Sequence, residues 1–260
     1  MKKKTKETQL WVAAYDIHYP ATHKPTLDAL LDFLGRNSVD GFVFGGDQFD
    51  NACISHHNRG KGLYKLPGQY AAETKGFDKN ILSPIEGLLP EDAERVWIEG
   101  NHDNWEFELV ETHPELLGTI ERPVLLDIQE RGWKYVPMGT CFKKGELTII
   151  HGEALTGVGN QAAGVHAKKA LEIYCTNVLY GHMHAPQSFT KVLPSDTNRK
   201  WMSWCSPILG DVNPKYLENR PTAWLNGFTI IEFRDKGLFN VYPIVVIDGK
   251  FSYGGKIYGS

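Results

Sequence analysis

Cysteine is scarce, with four residues in 260, at Cys53, Cys141, Cys175 and Cys205. None forms a CxxC pair, which argues against a disulfide framework and against a thiolate zinc site. Reduced thiols suit a cytoplasmic compartment, and that location is expected. An excess of one charge is also lacking. The 28 Lys+Arg against 31 Asp+Glu leave −3 with histidine neutral, which excludes a generally basic coat for nucleic acid but leaves room for a local patch. No apolar run approaches the ~20 residues that span a bilayer, so no membrane association is expected. The lysines at the N-terminus resemble the start of an export signal. The apolar stretch behind them, Leu10 to Tyr15, stops at Asp16 and is too short for one. Internal repeats and low-complexity segments are absent. Residues 1–9 read as a solvated tail and 10–260 as a single domain, since 42% hydrophobic and 23% charged residues are enough for a core without staples.

Short apolar runs end in polar, glycine-flanked turns. Leu10 to Tyr15, Gly41 to Phe44, Arg95 to Ile98, Leu147 to Ile150 and Asn177 to Tyr180 are continuously apolar and rich in β-branched and aromatic residues. Runs of that kind read as strands buried on both faces. Between them lie helical patterns. Thr26 to Leu34 carries Leu27, Leu30, Leu31 and Leu34 at helical spacing, with Gly35 expected as its C-cap. Gln161 to Tyr174 is expected to be a second helix. The alternation implies an α/β sheet. From Trp201 onward, Trp201 to Cys205, Trp224 to Phe233 and Leu238 to Ile247 follow one another without a helix, and read as antiparallel strands completing a second sheet.

Five of these strand ends and turns deliver Asp, His or Asn: Asp16-Ile-His18, Gly46-Asp47, Gly100-Asn101-His102-Asp103, His151-Gly152 and Gly181-His182-Met-His184. In open α/β sheets, ligands bind at the carboxyl edge of the strands. Imidazole and carboxylate donors together favour Mn, Fe, Zn, Ni or Co over calcium. Side chains two apart on an extended backbone point the same way, which would pair Asp16 with His18 and His182 with His184. Glycine before Asp47, Asn101 and His182 allows close backbone approach. A Gly-Asp pair alone is usually a turn. Gly-Asn-His-Asp directly after an apolar strand is far more specific, and the ordered set of five leaves little room for coincidence.

The pattern DxH, GD, GNHD, H and GHxH, running from about Trp11 to Ser206, resembles the calcineurin-like metallophosphoesterases. The resemblance implies two mixed β-sheets packed as a sandwich with helices outside, an αββα arrangement. It implies two divalent transition metals, with Mn preferred and Fe, Zn, Ni or Co as options. By motif position Asp16, His18 and His184 would hold one metal, Asn101, His151 and His182 the other, and Asp47 would bridge them. A metal-bridging hydroxide would attack phosphorus. His102 would act as general acid or transition-state stabiliser, with Asp50 as the partner that fixes its tautomer.

The resemblance implies that the chain is a phosphoester hydrolase. Phosphoprotein phosphatases of the family read GDxxDRG, whereas Asn51 stands here where their arginine would clamp a phosphomonoester. A phosphodiesterase acting on nucleotides or nucleic acids is therefore preferred. The alternatives are a nucleotide or small-molecule phosphomonoesterase and a non-catalytic scaffold. The irregular segment 51–94 contains a candidate phosphate clamp in His56, His57, Arg59 and Lys61, with Tyr64 or Tyr70 available for stacking on a base. Trp224 and the other aromatics near the C-terminus read as core.

Overall fold

The computed structural model describes residues 8–58, 60, 62, 68–155, 165–214, 217 and 220–260. Thirteen strands and six α-helices follow in chain order among these residues. They are β1 (Thr8–Ala14), α1 (Lys24–Arg36), β2 (Gly41–Phe44), α2 (Gln69–Phe77), α3 (Ser83–Leu88), β3 (Glu94–Ile98), α4 (Asn101–Thr112) and α5 (Arg122–Leu125). Then come β4 (Trp133–Val136), β5 (Phe142–Lys144), β6 (Leu147–Ile149), α6 (Val165–Tyr174), β7 (Asn177–Tyr180), β8 (Ser188–Leu193) and β9 (Asp196–Cys205). The chain closes with β10 (Gly227–Arg234), β11 (Phe239–Val245), β12 (Lys250–Tyr253) and β13 (Lys256–Gly259). One π-helical turn, Asp78–Leu82, joins α2 to α3.

Two mixed sheets form, ordered β11-β10-β1-β2-β3-β4 and β5-β6-β7-β9-β8. Period-two alternation divides β1 between two cores. Trp11, Ala13 and Tyr15 face inward with Val43, Val96 and Ile98, and meet Phe142, Leu147, Ile149, Leu179 and Trp204 of the other sheet. Val12 and Ala14 face outward with Phe42, Phe44 and Trp97, under Leu30 and Phe33 of α1 and under Phe77, Ile81 and Ile85. On the far side, Val178, Tyr180 and Cys205 pack under Ala170 and Leu171 of α6. The order helix, sheet, sheet, helix is the expected αββα sandwich.

Several sequence expectations need correction. The strands after Trp201 do not all complete the second sheet. Only β9 lies there, parallel to β7, whereas β10 and β11 run antiparallel beside β1 and extend the first sheet. Gly35 does not cap α1. The helix continues through it to Arg36, whose guanidinium bonds Asp32 at 2.8 Å, and Asn37 is the C-cap. Thr8 and Gln9 are not tail, because they pair with Arg234 and Phe233. Residues 1–7 lie outside the described residues, as do 161–164 of the second expected helix. No described helix is long and apolar enough to cross a membrane.

Candidate metal centre

Strands β1, β2 and β3 run parallel, as do β6 and β7. Parallel strands end at a common edge, so the loops after them are brought together. Asp16 and His18 follow β1, Asp47 follows β2, and Asn101 and His102 open α4 after β3. His151 follows β6, and His182 and His184 follow β7. Donor atoms converge in two groups of the expected composition, Asp16/His18/His184 and Asp47/His151/His182, each within 4.8 Å. In the first group, Nε2 of His18 and Nε2 of His184 are 3.3 Å apart, and Asp16 Oδ1 is 3.4 Å from the latter. In the second, Nε2 of His151 lies 3.0 Å from Asn101 Oδ1 and 3.3 Å from His182 Nδ1. Asp47 Oδ2 stands between the groups, 3.3 Å from His151 Nε2 and 4.0 Å from His18 Nε2. All seven sequence-predicted ligand positions are thus brought to one place.

The backbone reason is not the one expected. Asp16 and His18 do not sit on an extended strand. Their φ values are +51° and +48°, and those of Asp47, His182 and His184 are +53°, +63° and +59°. Nine non-glycine residues in the described chain have positive φ, and five of them are these. Left-handed backbone costs a side chain of order 1–2 kcal/mol, and such residues cluster where function demands the geometry. Close approach explains two of the glycines. A Cβ on Gly100 would collide with the Asp47 carboxylate and backbone, and Gly46, at φ +104°, leaves no space for one against the His151 ring.

Hydrogen bonds hold these groups in orientation. The N–H of His182 donates to Asp16 Oδ2 at 2.9 Å, and the N–H of His102 donates to Asp47 Oδ1 at 2.8 Å. His151 Nδ1–H donates to the Gly45 carbonyl at 3.1 Å, which aims Nε2 into the site. Asp103, the last residue of the Gly-Asn-His-Asp motif, belongs to neither donor group. Its buried carboxylate accepts the N–H groups of Gly100 at 3.0 Å and of Gln48 and Phe49 at 3.3 Å, so it ties the β2 and β3 loops together.

Burial opposes charge on Asp16 and Asp47, yet neighbouring imidazoles, His184 for Asp16 and His151 for Asp47, hold both carboxyls below their ordinary range. Burial also disfavours protonated His151, but Asp47 outweighs it and raises that ring to about 10. Burial lowers His18 to about 3 and His182 to about 4, and the nearby rings of His102 and His151 respectively add to the effect. The buried Nδ1 atoms of His18 and His184 have no hydrogen-bond partner among the described residues. Carboxylates and imidazoles facing one another, with no thiolate, form a donor set that fits divalent cations of the Mn, Fe, Zn, Ni or Co kind.

Asp50 needs correction. Its carboxylate does not hold His102, because Nδ1 of that ring is bonded to the Asp50 carbonyl oxygen at 2.9 Å while Oδ1 stays at 3.8 Å. The same Oδ1 is 3.7 Å from His18 Nδ1, so the carboxylate lies near both rings and bonds neither. Of the candidate clamp, exposed His56 reaches the site's surroundings, with its ring 5.8 Å from Trp105 and Nδ1 4.0 Å from Glu108. His57 shares a short 3₁₀ turn with it. Arg59, Lys61 and Tyr64 lie outside the described residues. Two aromatics were missed by sequence reasoning. Trp105 lies against His102 with ring centres 4.2 Å apart and planes tilted by 36°, and Trp224 stands edge-on to His184 at 4.3 Å rather than in the core.

No family model and no curated protein matches this chain. Solved structures do match. Vacuolar protein sorting 29 of Cryptosporidium parvum is similar over 98% of this chain and 100% of its own, with 12% identity and a TM-score of 0.52. The chain has the calcineurin-like metallophosphoesterase fold. A Vps29 variant of Entamoeba histolytica matches over 94% of this chain and 96% of its own, at 15% identity and TM-score 0.48. The nuclease MPE of Pseudomonas putida matches over 89% and 86%, at 16% identity and TM-score 0.35. Within the metallophosphoesterase fold, the gathered Asp, His and Asn side chains occupy the strand-end edge where the two sheets meet.

Proposed function

We propose that the protein is a two-metal-dependent phosphodiesterase acting on nucleotide or nucleic-acid esters. Asp16, His18, Asp47, Asn101, His151, His182 and His184 would hold the metal pair, with manganese preferred. The observation that carries this reading is the place of Asp47. Its single Oδ2 lies between the two donor groups, 3.3 Å from His151 and 4.0 Å from His18, as a bridging carboxylate requires. Two divalent cations there would supply a water acidic enough to attack near neutral pH, and positive charge against the phosphate oxygens.

The rest is done by the chain itself. His102 keeps a quarter of its side chain exposed. A carbonyl can only accept, so the bond to the Asp50 oxygen fixes the proton on Nδ1. Nε2 is left as the nitrogen that donates a proton to the leaving oxygen. Trp105 covers one side of the ring. The diester preference is supported by Arg122. This guanidinium is completely buried and bound to Glu73 and Asn51, so it offers no fork to a terminal phosphate dianion.

The test compares bis-p-nitrophenyl phosphate with p-nitrophenyl phosphate on Mn²⁺-loaded protein, with and without chelator. Chelator-sensitive hydrolysis that favours the diester is expected. His102→Asn should keep its metal and lose roughly 10²–10⁴-fold in kcat. Preference for the monoester would replace diester with monoester chemistry. A folded, metal-loaded protein inert on both, and on a nucleotide and nucleic-acid panel, would leave a non-catalytic role.

A further inference from the structure

Below His102 lies a buried network that touches neither the metal donors nor the transferred proton in the reading above. Arg122 donates from Nη2 to Glu73 Oε2 at 3.0 Å, from Nε to Thr74 Oγ1 at 3.1 Å, and from Nη1 to Asn51 Oδ1. Glu106 lies 3.7 Å from Nη1 and accepts the Arg122 backbone N–H at 2.7 Å. The guanidinium carbon also rests 3.9 Å from the Phe49 ring centre and 4.1 Å from that of Tyr70. A planar cation committed on every edge and both to rings and carboxylates is a rigid anchor.

Asn51 is itself fully buried. Because Arg122 can only donate, Oδ1 of Asn51 must face it, and Nδ2 must face the other way. Nδ2 donates to the His102 carbonyl at 2.8 Å and to Glu106 Oε1 at 3.3 Å. Asn51 has φ +52°, a conformation that asparagine tolerates better than most side chains. The preceding residue, Asp50, accepts from the ring of the same histidine. Two consecutive residues therefore grip His102 at its backbone and at its imidazole.

We infer that Asn51 is a positioning residue for His102: clamped by Arg122, it fixes the backbone from which that imidazole reaches the leaving oxygen, and so decides how well esters with basic, alkoxide-like leaving groups are cleaved. The inference rests on the hydrolytic reading above. In the step concerned, the oxygen of water bonds to phosphorus and its proton passes to solvent. The P–O bond to the leaving group breaks with its electron pair on the leaving oxygen, which takes the Nε2 proton and leaves a neutral imidazole. The more basic that oxygen, the more the rate depends on the acid being in place.

The test uses Mn²⁺-loaded full-length protein and methyl aryl phosphodiesters graded from p-nitrophenyl to unsubstituted phenyl. Asn51→Asp keeps an acceptor for Arg122 but sets an oxygen against the His102 carbonyl. Asn51→Gly removes the side chain without straining the backbone. Both are expected to keep wild-type metal content and KM. Both should lose about 10-fold or more in kcat on the phenyl ester and less than about 3-fold on the nitrophenyl ester, a part of the full general-acid effect. If the glycine variant does not fold, the aspartate variant decides. Wild-type rates, or equal losses across the series, in a folded variant would overturn the inference while leaving the phosphodiesterase reading intact. A wild-type protein inert on the whole series would overturn both.

Discussion

At His151 a bound cation would compete with a proton for one nitrogen. Burial alone would lower this ring, but Asp47 holds it protonated up to about pH 10. Because its folded value lies above the ordinary 6.5, the metal-free protein has the full stabilisation of this pair below pH 6.5 and loses it as pH rises toward 10. A cation at Nε2 must displace that proton. His18 and His182, at about 3 and 4, are already neutral and release none. Mn²⁺ affinity should therefore climb between pH 7 and 9, with about one proton released per site containing His151. Calorimetry at fixed pH in buffers of different ionisation heat reads this directly. Heats independent of the buffer would contradict it. At this scale the motif residues were legible because each follows an apolar strand, and Asp47, Asn101, His151 and His182 also adjoin a glycine. Asn51 and Arg122 were not, being 71 positions apart, and neither has a local pattern that names its partner. Trp224 was misread for the same reason, since nothing near it in sequence points to His184.

The outer core depends on one face of α1. Phe33 is fully buried, with Tyr258 at 5.1 Å, Phe251 at 5.9 Å and Phe228 at 6.2 Å between ring centres. These contacts tie the closing β12–β13 hairpin to the helix that follows β1. Phe33→Ala should cost ~3–5 kcal/mol, the range for emptying a large aromatic site. Urea unfolding measures it, and a loss under about 1 kcal/mol would show that the hairpin adds little to this core. The elements that were legible, β1, β2, β3, β6, β7 and α1, are those with continuous apolar runs or a clear helical stripe. Strand β8 is almost wholly outside the core and carries no alternation to detect. Helix α4 buries Asp103, Trp105 and Glu106 rather than an apolar stripe, because its first turn serves the site.

For the whole molecule, two parallel strand sets ending at one edge bring Asp16 and His184 into contact across the sandwich. The αββα layering could be expected from the motif resemblance, while the places of β10 and β11 could not. A strand's own sequence says that it pairs, and the free edge of β1 decides with which partner. The convergence of carboxylates and imidazoles on two cations is the central claim, and anomalous diffraction from Mn²⁺-soaked crystals tests it most directly. Two peaks are expected, one among Asp16, His18, Asp47 and His184, the other among Asp47, Asn101, His151 and His182. Full soaking with no peak at these residues would contradict the account.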